Sequence, residues 1–184
     1  MKELSLNILD ITGNSVKAGA KDIHITIRES DDLFTLTIED NGCGMSEEMV
    51  RSVTDPFCTT RTTRKVGLGI PLLKLAAEQT GGSISIKSRQ KELHPEDHGT
   101  CVTAEFFKNH IDFTPLGDIV STLTTLIQGS PEIDFYFLHT TQDRKVSLNT
   151  PELREVLGED VPLNCFEVIQ WIAQNLREQY GDQI

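Results

Sequence analysis

The spacing of apolar and polar residues predicts helices and strands in the first part of the chain. Leu4, Ile8 and Ile11 recur at helical spacing and predict a helix over residues 4–18 that ends at Gly19. Alternating apolar and polar residues predict four strands, over residues 22–28, 34–39, 83–88 and 100–106. Two more helices are predicted, a short one capped by Ser46 and a longer one over residues 70–80. These elements predict an α+β fold, a two-layer α/β sandwich with helices on one face of a mixed, mostly antiparallel sheet.

The pattern restarts after about residue 110. It predicts a helix, two strands and two helices, over residues 116–128, 133–139, 144–149, 151–157 and 165–178. The join is not rich in Pro, Gly or Ser, so residues 110–184 are either a small second α/β module or an extension packed on the first. We assign residues 1–109 to the principal domain and residues 110–184 to a small C-terminal α/β extension. Near the end of this extension lies a helical stripe that is predicted to pack against the core rather than to form a dimer seam. It consists of Phe166, Ile169, Trp171, Ile172 and Leu176.

Charge and cysteine content narrow the functional classes. The 184-residue chain has a formal net charge of −11, which argues against a surface that holds nucleic acid or anionic lipid. No apolar run is long enough to span a bilayer, and the first ten residues do not resemble a signal peptide, so we expect a cytoplasmic protein. The four cysteines have neither zinc-ligand nor disulfide spacing and are expected to be small buried or loop residues. Each of the five histidines is expected to be structural or solvent-exposed.

A polar stripe on the first predicted helix is the first candidate for chemistry. It contains Asn7, Asp10, Asn14 and Lys17, and the spacing of Asp10 and Asn14 places them one turn apart on one face. Such a pair can hold Mg²⁺ through the Asn carbonyl while the carboxylate orients or deprotonates an attacking group. The alternative is a solvated helix face.

The second candidate is the segment DNGCGM, which comprises residues 40–45. Asp40 directly follows an apolar strand, where its carboxylate can accept a hydrogen bond from an exocyclic amine such as that of adenine. Gly42 and Gly44 lack side chains and so let a flat ring approach the backbone. The alternative is a plain turn.

The third candidate is a cationic loop that leads into a helix, with the sequence PFCTTRTTRKVGLGI over residues 56–70. Gly67 and Gly69 allow backbone N–H groups to face a phosphate at the positive end of the helix dipole. Three cations, Arg61, Arg64 and Lys65, lie just before this helix in a chain that is otherwise strongly acidic.

In this order, the motifs resemble the GHKL (histidine kinase-like) ATP-binding family over roughly residues 3–107. That family contains sensor histidine kinases, anti-sigma serine kinases, DNA gyrase, a large heat-shock chaperone and MutL. The resemblance implies ATP and Mg²⁺ as cofactors, with Asn14 as the magnesium ligand and Asp40 as the adenine-reading carboxylate. It implies an ATP site that consists of Asn14, Lys17, Asp40, Gly42, Gly44, Met45, Phe57, Thr60, Arg61, Arg64, Lys65, Gly67, Leu68, Gly69 and Thr103.

Departures from the family pattern indicate the branch. ATPases of the family carry a Glu as general base where this chain has Asp10, and one methylene less shortens the reach to an attacking water. The segment from Phe57 to Gly67 is short, as in the kinase branch. The polar helix begins close to Met1, which leaves no room for a hairpin with a phosphorylated histidine. We therefore expect a kinase that phosphorylates a protein partner in trans, with Asp10 as its catalytic residue. The alternatives are a nucleotide-sensing interaction protein and a slow ATPase, and a homodimer is left open.

Overall fold

The computed structural model describes residues 3–53, 69–158 and 161–181. These residues form six helices and six strands, which follow one another along the chain as α1 Leu4–Lys17, β1 Asp22–Glu29, β2 Leu33–Asp40, α2 Glu47–Val53, α3 Gly69–Gln79, β3 Ser83–Arg89, β4 Gly99–Phe107, α4 Ile119–Gly129, β5 Asp134–Thr140, β6 Lys145–Asn149, α5 Thr150–Leu157 and α6 Phe166–Tyr180.

All six strands belong to one mixed sheet with the order β3-β4-β2-β1-β5-β6. Neighbouring strands are antiparallel except for β1 and β5, which run parallel from the Asp22–Asp134 pair to the Arg28–Thr140 pair. Strands β5 and β6 therefore prolong the sheet of the principal domain instead of forming a sheet of their own among the described residues. The boundary at residue 109 stays a prediction.

One face of the sheet carries the core. Ile23, Ile25 and Ile27 on β1 are buried because alternate residues of a strand share a face. Helix α1 packs between α3 and α4, and α4 packs in turn against α6, so that these helices form a second layer over the sheet. The α+β two-layer sandwich predicted from the sequence is confirmed.

The local predictions agree with the structure to within a few residues at element ends. Gly19 ends α1 with a positive φ of 75°, and the Ser46 hydroxyl accepts a hydrogen bond from Met49 N (3.2 Å) as the cap of α2. The prediction for α6 is wrong at two residues, since Phe166 is 69% exposed and Trp171 is 52% exposed. Ile172 and Leu176 of the predicted stripe are buried, as expected, and Val168 joins them on the buried face. Helix α6 lies at the border of the helical layer, so only that stripe is covered.

The described residues also bear on membrane-spanning helices and on the cysteines. No helix in the described ranges is long and apolar enough to cross a membrane. Cys43, Cys101 and Cys165 are free thiols, whereas Cys58 lies outside the described residues.

Candidate nucleotide-binding site

Asp40 ends strand β2 with its carboxylate held by two protein donors. The Ser15 hydroxyl donates to Asp40 Oδ2 (2.5 Å), and the Gly42 backbone N–H donates to Oδ1 (2.9 Å). Ser15 lies on α1, so this contact joins the end of the strand to the helical layer. Each carboxylate oxygen keeps a second lone pair. The group is therefore fixed in orientation and can still accept a hydrogen bond from a ligand.

Asn41 anchors the turn that follows Asp40. Its Oδ1 accepts hydrogen bonds from the backbone N–H groups of Lys21 (2.7 Å) and Asp22 (2.9 Å), and its Nδ2 donates to the Asp22 carboxylate. All three contacts go to the start of β1, so Asn41 has a structural role and places the glycines that follow.

The glycines of the turn are required by packing against the protein itself. Gly44 has a φ of 67°, and a Cβ there would collide with the Arg89 carbonyl. A Cβ on Gly42 would lie 2.9 Å from Ala18 Cβ and 2.9 Å from Asp40 Oδ1. The sequence interpretation attributed these glycines to the approach of a flat ring. The structure gives a different physical reason, namely that neighbouring chain segments occupy the space of a side chain.

The structure places Thr103 of the implied ATP site away from Asp40. Thr103 pairs with Thr37 in the β2–β4 register, three positions from the Asp40–Thr100 pair. Because side chains alternate between faces, Thr103 lies on the face of the sheet opposite to Asp40. The structure thus does not bring Thr103 together with Asp40, and it places Thr100 beside it instead. The sequence contains a signal for this arrangement, because the apolar residues Val102, Ala104 and Phe106 mark the even-numbered positions of β4 as the buried face.

Thr100 belongs to a hydrogen-bond network that reaches Met45. The Ser88 hydroxyl contacts Thr100 Oγ1 (2.8 Å), donates to the Gly99 carbonyl (2.9 Å) and accepts from Met45 N (2.8 Å). Ser88 was not predicted from the sequence, because no motif distinguishes this serine from the other polar residues near the end of β3. The network fixes the end of the glycine turn to the β3–β4 hairpin.

The polar stripe of α1 presents three side chains that have no partner within the described part of the chain. Asp10 and Lys17 are exposed and Asn14 is half-buried, and none of the three side chains forms a hydrogen bond or ion pair with another described residue. An amide oxygen and a carboxylate one turn apart are a suitable donor pair for Mg²⁺, which prefers oxygen ligands and shares its shell with phosphate. The residues present therefore fit the implied metal.

Asp10 lies against the first residue of α3. A Cβ on Gly69 would be 3.0 Å from Asp10 Cβ and 3.6 Å from Ile11 Cγ1, so Gly69 allows the two helices to approach closely. The positive end of the α3 dipole thus faces the same region as the polar stripe. At about 1.5 Å of rise per residue, Asp10 lies roughly 7–8 Å along α1 from Ser15, which holds Asp40. The structure thus brings Gly69 against Asp10 and Asp40 against Ser15, and both contacts are made by α1.

The remaining predicted site residues, Phe57, Thr60, Arg61, Arg64, Lys65, Gly67 and Leu68, lie outside the described residues.

A second polar cluster lies at the opposite end of β1. Glu29 accepts a hydrogen bond from His139 Nε2 (3.0 Å) and pairs with Lys108 Nζ (2.7 Å), while the Tyr180 hydroxyl contacts His139 Nδ1 (2.8 Å). The hydrogen bond from His139 holds the pKa of Glu29 at about 2, against the opposing effect of burial and with further help from Lys108. Burial raises the pKa of the Tyr180 hydroxyl. The expectation that His139 is structural is confirmed by these contacts.

The sequence matches the family described as "Histidine kinase-, DNA gyrase B-, and HSP90-like ATPase" over residues 2–111. The chain belongs to this family. The match covers α1, the glycine turn and β4, which are the elements that form the candidate site. It confirms the resemblance inferred from the sequence motifs.

The curated relatives that the chain matches include sensor kinases. The chain is 33% identical over 93 residues to "Sensor protein SrrB" of Staphylococcus aureus, a match that covers 48% of this chain and 16% of that protein. It is 32% identical over 74 residues to "Probable C4-dicarboxylate sensor kinase" of Bacillus subtilis, covering 40% of this chain and 14% of the relative. The chain thus spans about a seventh of the length of the curated relatives that it matches.

Solved structures share the fold. The "Aquifex aeolicus MutL ATPase domain complexed with ADP" matches with a TM-score of 0.52 and 14% identity, covering 85% of this chain and 69% of that chain. The "N terminal domain of a DNA repair protein" matches with a TM-score of 0.54 and 16% identity, covering 80% and 53%. Each of these matches covers a larger fraction of this chain than residues 1–109 alone would account for. The likeness of fold therefore continues into the C-terminal extension.

Proposed function

We propose that this chain binds ATP with Mg²⁺ and transfers the γ-phosphoryl group to a protein partner in trans. The observation that carries the proposal is the arrangement around α1. There, Asp40 is held in a fixed orientation. Asp10, Asn14 and Lys17, whose side chains have no partner among the described residues, lie on the same helix as its donor Ser15. The family assignment supports ATP as the ligand, and the sensor kinases among the relatives support phosphoryl transfer.

Asp40 is proposed to read the adenine ring. Its two protein donors fix the carboxylate plane, and the remaining lone pairs accept the exocyclic amine. A purine with a carbonyl at that position would set its oxygen against the carboxylate, which disfavours guanine. Thr100, opposite Asp40 on the same face, is proposed as a further polar contact.

The phosphates are proposed to lie towards Asp10 and the start of α3. Asn14 would hold Mg²⁺ through its amide oxygen, and the metal supplies neutralisation of phosphate charge during transfer. Lys17 would add a positive charge on the same face, and Gly69 opens the helix N-terminus towards the phosphates. Arg61, Arg64, Lys65 and Gly67 are proposed to complete this end on the basis of sequence alone.

Asp10 is proposed to orient the acceptor group. A carboxylate at this place can accept a proton from a hydroxyl or hold an imidazole in position. Its reach is one methylene shorter than that of a glutamate, which favours an acceptor that a bound partner brings close over a free water. Transfer to a partner is therefore preferred over hydrolysis.

Labelled ATP tests this proposal. The purified 184-residue chain is incubated with γ-labelled ATP and Mg²⁺ and with fractions of a cell extract, in parallel with Asp40→Asn and with Glu39→Gln as a matched control. The expected result is a labelled protein other than the chain itself, present with the native chain and Glu39→Gln and absent with Asp40→Asn. Release of labelled phosphate without a labelled protein would support a slow ATPase instead. ATP binding with neither product would support a nucleotide sensor.

A further inference from the structure

We propose that His98 is a positioning residue of the nucleotide site, which holds the Gly42 peptide and through it the Asp40 carboxylate. The proposal rests on the proposed binding of ATP at Asp40. His98 lies 56 residues from Gly42 in the sequence, immediately before strand β4.

The contact is a short hydrogen bond from the imidazole to a backbone carbonyl. His98 Nδ1 lies 2.6 Å from Gly42 O, and the histidine side chain is half-buried. A carbonyl oxygen only accepts hydrogen bonds, so Nδ1 carries the proton. This holds for the cation and for the neutral Nδ1–H tautomer alike, and the contact does not require a charged ring.

The carbonyl that His98 binds belongs to a peptide unit that is also held from the other side. Cys43 N–H, in the same peptide unit, donates to the Ala18 carbonyl (2.9 Å) at the end of α1. The peptide unit between Gly42 and Cys43 is thus hydrogen-bonded at its N–H to the end of α1 and at its carbonyl to His98 of the β3–β4 hairpin. Rotation of this peptide unit would break both hydrogen bonds.

Fixing this peptide also fixes the adenine-reading group. The Gly42 N–H, in the preceding peptide unit, donates to Asp40 Oδ1 (2.9 Å). With no side chain, Gly42 has wide conformational freedom of its own. The hydrogen bond from His98 to the Gly42 carbonyl therefore restricts the backbone rotation that glycine would otherwise allow. As a result, the Gly42 N–H keeps the Asp40 carboxylate in one orientation.

The loop that carries His98 is itself tied to the same turn. Lys91 N–H donates to the Cys43 carbonyl (3.0 Å), and the Arg89 carbonyl packs against Gly44. An ion pair between Arg89 and Asp97 links the two ends of the loop. His98 is therefore presented from a loop whose register relative to the glycine turn is set by other contacts.

The expected effect of removing the imidazole is moderate. A single hydrogen bond of this kind corresponds to about a tenfold change in affinity. We expect His98→Ala to raise the dissociation constant of Mg-ATP about tenfold. His98→Asn keeps an N–H donor at the same number of bonds from Cα as Nδ1, so we expect it to restore the constant to within about threefold of the native value.

Calorimetric titration with Mg-ATP on the full chain tests the inference. The variants are His98→Ala, His98→Asn and, as a matched control, His94→Ala, since His94 is an exposed histidine of the same loop. The melting temperature without nucleotide is measured for each variant. The expected result is weaker binding by His98→Ala, rescue by His98→Asn and native binding by His94→Ala.

Two failures are distinguishable. If the native chain does not bind ATP, the proposed function fails and this inference fails with it. If the native chain binds ATP and His98→Ala binds equally well, or His98→Asn binds as weakly as His98→Ala, only the role of His98 is overturned.

Discussion

The two ends of strand β1 both carry polar clusters, but they differ in what those groups have left to bind. Near the start of the strand, the side chains of Asp10, Asn14 and Lys17 have no partner among the described residues, and Asp40 is held with lone pairs to spare. At the far end, Glu29 and His139 are joined to each other and to neighbouring groups.

The cavity at the far end does not change this contrast. A cavity of about 340 Å³ is lined by Glu29, His139, Thr141, Asp143, Arg144, Val146 and Tyr180. Glu29, His139 and Tyr180 on its wall are joined to one another or to Lys108 by hydrogen bonds and an ion pair. At the Asp40 end, by contrast, the exposed side chains of Asp10 and Lys17 form no hydrogen bond or ion pair with another described residue. We therefore keep the proposed ligand site at the end with unpaired polar side chains and not at the cavity.

The ends are far enough apart to be altered separately. Asp22 pairs with β5 at one end of β1 and Glu29 lies at the other, and a rise of about 3.3 Å per residue separates them by roughly 23 Å. A variant at one end should leave the property of the other end unchanged.

The largest effect is expected for ATP binding by Asp40→Asn. The variant replaces a charged acceptor by an amide, and a charge-assisted hydrogen bond contributes about 1.5–3 kcal/mol. We expect the dissociation constant of Mg-ATP to rise about 100-fold in calorimetric titration. Glu39→Gln is the matched control, because Glu39 is an exposed carboxylate on the opposite face of the same strand. Equal losses in the two variants would argue against a specific role for Asp40.

For His139→Ala, a loss of stability without a loss of ATP binding is expected. His139 is 6% exposed, and its removal leaves Glu29 with only Lys108 as a described side-chain partner and the Tyr180 hydroxyl without its partner. We expect the free energy of unfolding to fall by about 2–4 kcal/mol in urea titration, with Mg-ATP affinity unchanged. The exposed His110 provides the control His110→Ala, with a change below about 0.5 kcal/mol. A large loss of ATP affinity in His139→Ala would show that the two ends are coupled.

Acid should destabilise the far end through Glu29. Its pKa of about 2 in the folded chain lies below the ordinary value of 4.5, so its contribution is complete above that ordinary value. The contribution is lost as the pH falls from about 5 towards 2. Between pH 5 and pH 3, the native chain should lose about 1–2 kcal/mol more than Glu29→Gln in urea titration. Parallel pH profiles of the two proteins would contradict this role.

The smallest effect is expected inside α1, at Thr12. This residue is fully buried and its hydroxyl has no hydrogen-bond partner among the described residues. An unfilled hydroxyl in the core costs stability and is not accessible to a ligand. We expect Thr12→Val to raise the free energy of unfolding by about 1 kcal/mol, measured by urea titration, with ATP affinity unchanged. Destabilisation of this variant would show that the hydroxyl has a partner in solution.

Local patterns were enough to predict the elements near the candidate site. The helical spacing around Asp10 and Asn14 and the strand that ends at Asp40 are encoded within a few residues, and so their places could be predicted. The parity of Thr103 is also encoded in the alternation along β4, which places Thr103 on the face opposite to Asp40 and Thr100 on the same face. These are properties of single elements.

Contacts between distant segments could not be predicted in the same way. The parallel pairing of β5 with β1 joins residues more than 100 positions apart, and no local pattern specifies that partner. The hydrogen bond from His98 to Gly42 and the pairing of His139 with Glu29 likewise depend on how separate elements meet. The requirement for glycine at position 44 also comes from packing against Arg89, whereas the turn sequence alone suggested that a ligand needs the space.

Hydrogen–deuterium exchange with and without Mg-ATP tests the contrast between the two ends most directly. We predict slower exchange on nucleotide addition in peptides that cover residues 40–45, with no change in peptides that cover residues 139–146. Protection of residues 139–146 without protection of residues 40–45 would contradict the account and would place the ligand at the Glu29 end of the sheet.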